Sequence, residues 1–189
     1  MICGIDEAGR GPLAGPVYAA AVVLPRDFPS DCLNDSKKLS RSQRTKAEVF
    51  IREKAFFGIG FADHEEIDVL NILRASLLAM QRAFTVLKQT YPTLHIDETI
   101  VDGLYIPDIE FPCRAVVKAD ASVPAVMAAS ILAKQERDRV MTEYARLYPN
   151  YGYEKHKGYP TRLHVQRIAE FGPSPIQRLT FRVKRNQTG

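Results

Sequence analysis

The chain has 189 residues, 46% of them hydrophobic and 25% charged, which is ordinary for a soluble globular protein and enough for one domain with a real core. Acids at Asp6 and Glu7 stand where the basic region of a secretory leader would lie, and no apolar run approaches the length of a membrane span. Cys3, Cys32 and Cys113 make no metal spacing, so a reducing, cytoplasmic setting with no membrane is expected.

In chain order, residues 2–6 and 16–24 read as two strands joined by the glycine turn Gly9-Arg10-Gly11. Pro25 to Asp35 reads as a loop. Ser40 is a candidate N-cap for a helix reaching Ala55. Phe56 to Ala62 reads as a third strand, which Gly58 and Gly60 weaken. Apolar residues at 70, 73, 77, 80, 84 and 87 have helical spacing, with a break near Asn71. Thr99 to Asp102 and Phe111 to Val117 read as two more strands. Ser122 and Pro124 suit the first turn of a long helix to about Leu147. Pro149 to Thr161 reads as a loop, and Arg162 to Phe171 as a last helix. Helices and strands alternate after the opening strand pair, so the class is α/β with a mixed sheet.

The chemistry concentrates in Gly4 to Val17. Paired carboxylates at a strand end suit a divalent cation, glycines let a ligand approach backbone amides, and Arg10 suits a phosphate. Neighbouring strand residues point to opposite faces, so Asp6 and Glu7 can share one site only if the strand ends or bends at Glu7. Asp102 closes a strand and Asp120 precedes the long helix, positions where α/β sites collect. Each acid alone also fits a plain turn or helix-start role. Lys37, Lys38 and Lys134 are phosphate candidates by charge. Tyr159, in a loop with His156 and Lys157, offers a flat face to a sugar or base. The net charge is +4, and Arg178, Arg182, Lys184 and Arg185 place the whole excess in the last 19 residues. A basic tail points to nucleic acid, or is merely solvated.

The opening stretch resembles the signature of the ribonuclease HII family. Further blocks follow in family order: Asp35-Ser36-Lys37-Lys38-Leu39, Glu65-Glu66-Ile67-Asp68 with Leu70-Asn71-Ile72-Leu73, Val101-Asp102-Gly103, Lys118-Ala119-Asp120, Ala128 to Lys134, and His156 to Thr161. The chain departs at Arg178-Leu179-Thr180-Phe181, where the family often has paired arginines before Ser-Phe. The resemblance implies a ribonuclease H-like fold with a central five-stranded mixed sheet flanked by helices. It implies a catalytic core over about 1–150 and a helical, substrate-contacting C-terminal extension over about 151–189. It aligns Asp6, Glu7, Asp102 and Asp120 with a quartet that binds Mg²⁺ or Mn²⁺, two ions per site, and assigns Tyr159 to substrate contact. The activity it implies is cleavage of RNA in RNA–DNA hybrids and at ribonucleotides embedded in duplex DNA, leaving 3′-hydroxyl and 5′-phosphate ends. A monomer is expected, with a sliding clamp as a candidate partner for the tail. A noncatalytic hybrid-binding module would have no use for four acids. A phosphotransferase would call for a phosphate-cradling Gly-x-x-x-x-Gly-Lys loop, and none is present.

Overall fold

The computed structural model describes residues 1–29, 33 and 39–182. The strands are β1 (Ile2–Ala8), β2 (Val17–Val23), β3 (Phe56–Ala62), β4 (Glu98–Asp102) and β5 (Cys113–Val116). The helices are α1 (Arg41–Lys54), α2 (His64–Leu70), α3 (Ile72–Thr90), α4 (Pro124–Leu147), α5 (Tyr153–His156) and α6 (Arg162–Phe171).

The five strands form one mixed sheet in the order β3-β2-β1-β4-β5. The first three pair antiparallel, whereas β4 lies parallel to β1 and β5 parallel to β4. Alternation along β2 divides the core. Val17, Ala19, Ala21 and Val23 pack with Ala75, Ala79, Ala83 and Leu87 of α3 on one face. Ala20 and Val22 face Ala128, Ala129 and Leu132 of α4 and Ile51 of α1 on the other. Small side chains in β2 thus let helices lie close on both faces.

Local signals explain most element ends. Ser40 and Gln43 form a reciprocal capping box at α1, and Asp63 and Glu66 form another at α2. The expected break falls at Asn71, whose φ of 70° ends α2 while its side chain accepts from the N–H groups of Leu73 and Arg74 to start α3. The glycines of β3 do not weaken it. A Cβ at Gly58 or Gly60 would come within 2.3 Å of the carbonyl oxygens of Ala83 and Ala79, so they are the sites where α3 crosses the strand.

Three expectations need correction. β1 continues to Ala8, with Glu7 opposite Ala19 and Ala8 opposite Tyr18, because β2 pairs along its whole length. The last strand is only Cys113–Val116, since Pro112 supplies no ladder N–H. The stretch from Pro149 to Thr161 is not a plain loop: it holds a 3₁₀ turn at 149–151 and then α5.

Behind that segment His156 and His164 stack with ring centroids 4.4 Å apart. His156 Nδ1 accepts from the Gly158 N–H, so its Nε2 donates to the Tyr151 carbonyl. His164 Nδ1 donates to the Tyr159 carbonyl at 3.0 Å, leaving Nε2 buried with no hydrogen-bond partner among the described residues. Burial, then the neighbouring His156, pushes His164 down to about 4. A histidine held neutral in the fold adds stability above its unfolded pKa near 6.5, and that stability is lost as pH falls from there toward 4. The expected loss is on the order of 2–3 kcal/mol. Thermal melts at pH 7 and pH 4.5 of the native chain and His164→Gln check this, with the variant showing the smaller fall.

Candidate active site

Because β1 and β4 are parallel neighbours with Ile5 opposite Val101, their next residues, Asp6 and Asp102, emerge side by side at the C-terminal edge. The chain then crosses β5 and enters a 3₁₀ turn at 119–121, which carries Asp120 to the same edge and directs its N–H to Asp102 Oδ1 at 3.5 Å. Carboxylate oxygens of Asp6, Asp102 and Asp120 lie within 4.8 Å of one another. Sequence alone could not bring these three together.

Glu7 stands beside this trio rather than within it. Since β1 does not end at Glu7, the strand alternation persists. The Glu7 side chain meets Arg10 Nη1 at 3.3 Å through one oxygen, and the other oxygen is buried without a hydrogen-bond partner among the described residues. All the same, Asp6, Glu7 and Asp102 line one cavity of about 360 Å³ with Gly9, Arg10, Gly11, Arg44, Ser130, Lys134 and Tyr159. A larger hollow of about 530 Å³ between α3 and residues 108–111 contains none of the trio.

Packing like charges in a buried place has a cost. Burial, then Glu7 and Asp102, raises the Asp6 carboxyl well above the usual carboxylate range. Burial likewise raises Glu7, against the opposing pull of Arg10. Such a group needs protons or cations. Hard carboxylate oxygens, one of them buried without a partner, fit a divalent ion of the Mg²⁺ or Mn²⁺ kind.

The turn glycines differ sharply. Gly9 has φ +103°, and a Cβ there would sit 2.1 Å from Arg137 Nε. A Cβ at Gly11 would meet only the Tyr159 ring, at 3.7 Å. Gly9 is therefore demanded by the fold, while Gly11 and Tyr159 face each other across the cavity wall.

Residues 3–185 match the family model of ribonuclease HII. The chain belongs to the ribonuclease HII family. A ribonuclease HII of Treponema denticola is 51% identical over 97% of this chain and 99% of its own length. One of Idiomarina loihiensis is 50% identical over 96% and 95%. Among solved structures, the ribonuclease HII of Archaeoglobus fulgidus, determined in complex with PCNA, superposes with a TM-score of 0.76 at 24% identity, covering 100% of this chain and 98% of that one. Family membership makes this chain a ribonuclease H, an endonuclease and hydrolase of a metal-dependent kind. The mixed five-stranded sheet is the ribonuclease H-like fold.

Within this ribonuclease HII fold, the remaining expected residues divide. Lys134 lines the cavity, but its Nζ pairs with Asp138 at 2.5 Å. Lys37 and Lys38 lie outside the described residues, as do Lys184 and Arg185. Arg178 is not a phosphate ligand in a solvated tail. It is fully buried and bonds to carbonyls of the 9–16 turn, because Arg178 N–H to Leu13 and the bridge between Ala14 and Gln177 draw the C-terminal segment under that turn. The departure at Leu179-Thr180 is accommodated by Asp68, which accepts from the N–H groups of both residues and from the Thr180 hydroxyl. No helix of the described residues is long and apolar enough to cross a membrane.

Sequence reasoning missed Ser130, Arg44 and Arg137. Ser130 had a signal: it precedes Lys134 by four residues and Asp138 by eight on one helix, so all three share a face. Arg44 on α1 and Arg137 on α4 had none, because only packing brings them to the turn.

Proposed function

We propose that this cavity cuts the phosphodiester 5′ of a ribonucleotide, in RNA–DNA hybrids and in duplex DNA carrying embedded ribonucleotides, leaving 3′-hydroxyl and 5′-phosphate ends. The observation that carries it is the convergence of Asp6, Asp102 and Asp120, the first two of which line one cavity with Glu7, Gly9-Arg10-Gly11 and Tyr159. Asp6, Asp102 and Asp120, with Glu7 at their flank, would hold Mg²⁺ or Mn²⁺, two ions per site. Such ions lower the pKa of an attacking water and stabilise a leaving oxygen.

The chain's own groups do the rest. The turn presents backbone N–H and C=O groups that can read a 2′-hydroxyl, the group separating RNA from DNA. Arg10, half exposed, engages a neighbouring phosphate and also offsets the charge of Glu7. Lys134 and Arg44 add positive charge along the strand's path. Tyr159, 40% exposed, packs on the sugar next to the ribonucleotide. A noncatalytic hybrid-binding module gains nothing from three carboxylates held this close. The enzyme would act as a monomer, residues 151–189 would extend the substrate surface, and a sliding clamp, of the kind found with the Archaeoglobus protein, would dock on the C-terminal tail.

The deciding experiment is incubation with a DNA duplex carrying one ribonucleotide, with Mg²⁺, with Mn²⁺ and with excess chelator. Single cuts 5′ of the ribonucleotide with either metal and none in chelator are expected; cutting undiminished in chelator refutes the reading. In the same assay Tyr159→Ala should slow the single-ribonucleotide duplex about tenfold or more, the scale of one lost stacking contact, and a long hybrid less. Equal losses on both substrates would remove Tyr159 from that role.

A further inference from the structure

Two arginines with no acidic partner lie fully buried behind the ribose-reading turn. Arg178 uses all five of its N–H donors: Nε to the Gly15 carbonyl at 2.8 Å, Nη1 to Arg10 at 3.0 Å and Pro12 at 2.8 Å, and Nη2 to Gly9 at 2.6 Å and Pro16 at 3.2 Å. Arg137 donates to Pro16 at 3.0 Å, to Lys157 at 3.0 Å and to Ala14 at 3.2 Å. The backbone N–H of Arg178 takes the Leu13 carbonyl. Neither guanidinium forms an ion pair among the described residues.

An isolated buried cation is costly, and carbonyl dipoles converging on it offset that cost. Both groups feel the expense, since burial lowers Arg137 to about 10 and Arg178 to about 9. The convergence dictates the turn's orientation. The carbonyls of Gly9, Arg10, Pro12, Ala14, Gly15 and Pro16 all point inward, leaving Gly11 as the turn glycine whose carbonyl neither guanidinium holds. The N–H groups of Gly9, Arg10 and Gly11 make no backbone hydrogen bond among the described residues, and Arg10 and Gly11 are exposed toward the cavity. The Arg137 guanidinium also lies 5.7 Å from the centroid of the Tyr159 ring, and its bond to the Lys157 carbonyl reaches the loop carrying that ring. One pair of cations therefore ties both walls of the ribose pocket to one another.

We propose that Arg137 and Arg178 are positioning residues for ribose discrimination: they turn the carbonyls of residues 9–16 inward and so set which backbone groups the substrate sugar meets. This rests on the reading that the turn senses a 2′-hydroxyl. A lysine in either place keeps the charge but cannot reproduce a planar fork of donors, so the turn should relax without losing its cation.

The test measures binding, in an Asp102→Asn background, to a duplex with one ribonucleotide and to the same duplex in all-DNA form, by fluorescence anisotropy in Mg²⁺. The parent should prefer the ribonucleotide duplex about tenfold, the scale of one or two hydrogen bonds. Arg178→Lys and Arg137→Lys should bring that ratio to within about twofold of one, with affinity for the all-DNA duplex changed less than about threefold. Leu87→Ala, a destabilising change in the core on the α3 face of the sheet, should keep the parental ratio. A lysine variant that folds and keeps the tenfold preference overturns the proposal, as does an equal loss of preference in Leu87→Ala. Failure of both lysine variants to fold, judged by circular dichroism, also overturns it, because the pair would then determine the fold rather than position the turn. A parent with no preference overturns the 2′-hydroxyl reading itself, and this inference with it.

Discussion

Asp102→Asn should lower single-turnover cleavage of a single-ribonucleotide duplex by at least about a thousandfold, on the order of 4 kcal/mol of transition-state stabilisation. Asp102 is the middle member of the trio, bonded by the Asp120 N–H and adjacent to Asp6 across the β1–β4 pair. Asn keeps the shape and an acceptor oxygen but not the charge that holds a hard cation. Asp6→Asn should act likewise, and it separates catalysis from stability. Burial and the adjacent acids raise Asp6 in the folded state, so its charged form opposes folding in metal-free protein. The sign follows: a carboxyl whose folded pKa exceeds the unfolded value near 3.8 adds stability as pH falls through the folded pKa, and subtracts it above. In chelator at pH 8, Asp6→Asn should therefore melt above the native chain, and the gap should narrow at pH 5. Adding Mn²⁺ should raise the native Tm by mass action and the variant's less. Wild-type cleavage by Asp102→Asn would remove the trio from the mechanism. A lower Tm for Asp6→Asn in chelator would show that the carboxylates are not repelling one another.

Gly9→Ala and Gly11→Ala should fail for different reasons. At Gly9 the new methyl would overlap Arg137 Nε and Cδ at 2.1 and 2.3 Å, on a backbone at φ +103°. Arg137 cannot retreat cheaply, because its own donors hold the carbonyls of Ala14, Pro16 and Lys157. A loss of about 3 kcal/mol or more is expected, from overpacking plus strain at a positive φ. At Gly11 the methyl would sit in ordinary contact with Tyr159, so stability should change by less than about 0.5 kcal/mol, as for a typical surface substitution. That methyl would stand where the sugar is read, and cleavage at a single ribonucleotide should fall about tenfold or more, the scale of a displaced hydrogen bond. Binding to plain DNA should fall less. Denaturant titrations beside single-turnover rates distinguish the two. An active, unperturbed Gly11→Ala would reduce the turn to scaffolding, and a stable Gly9→Ala would contradict the packing of Arg137 beneath it.

The residues alone determined the α/β class, the cap at Ser40, the break near Asn71, the long helix from Pro124 and the identity of the candidate acids. Those features are local: capping, turn chemistry and hydrophobic period act over a few residues, and the motif blocks are contiguous. Three outcomes needed the tertiary structure. β1 runs past Glu7 because β2 supplies a partner along its length, and the fourth acid consequently stands beside the trio, facing Arg10. Gly58 and Gly60 look like weak points in a strand until α3 is laid across them. Arg178 looks like a charge in a solvated tail, yet it is fully buried under the Gly9–Pro16 turn. Sequence separation hides such contacts. Charge composition reports that an arginine is present, but only the packed chain decides whether its five donors meet water, phosphate or the inward-turned carbonyls of a loop more than 160 residues away.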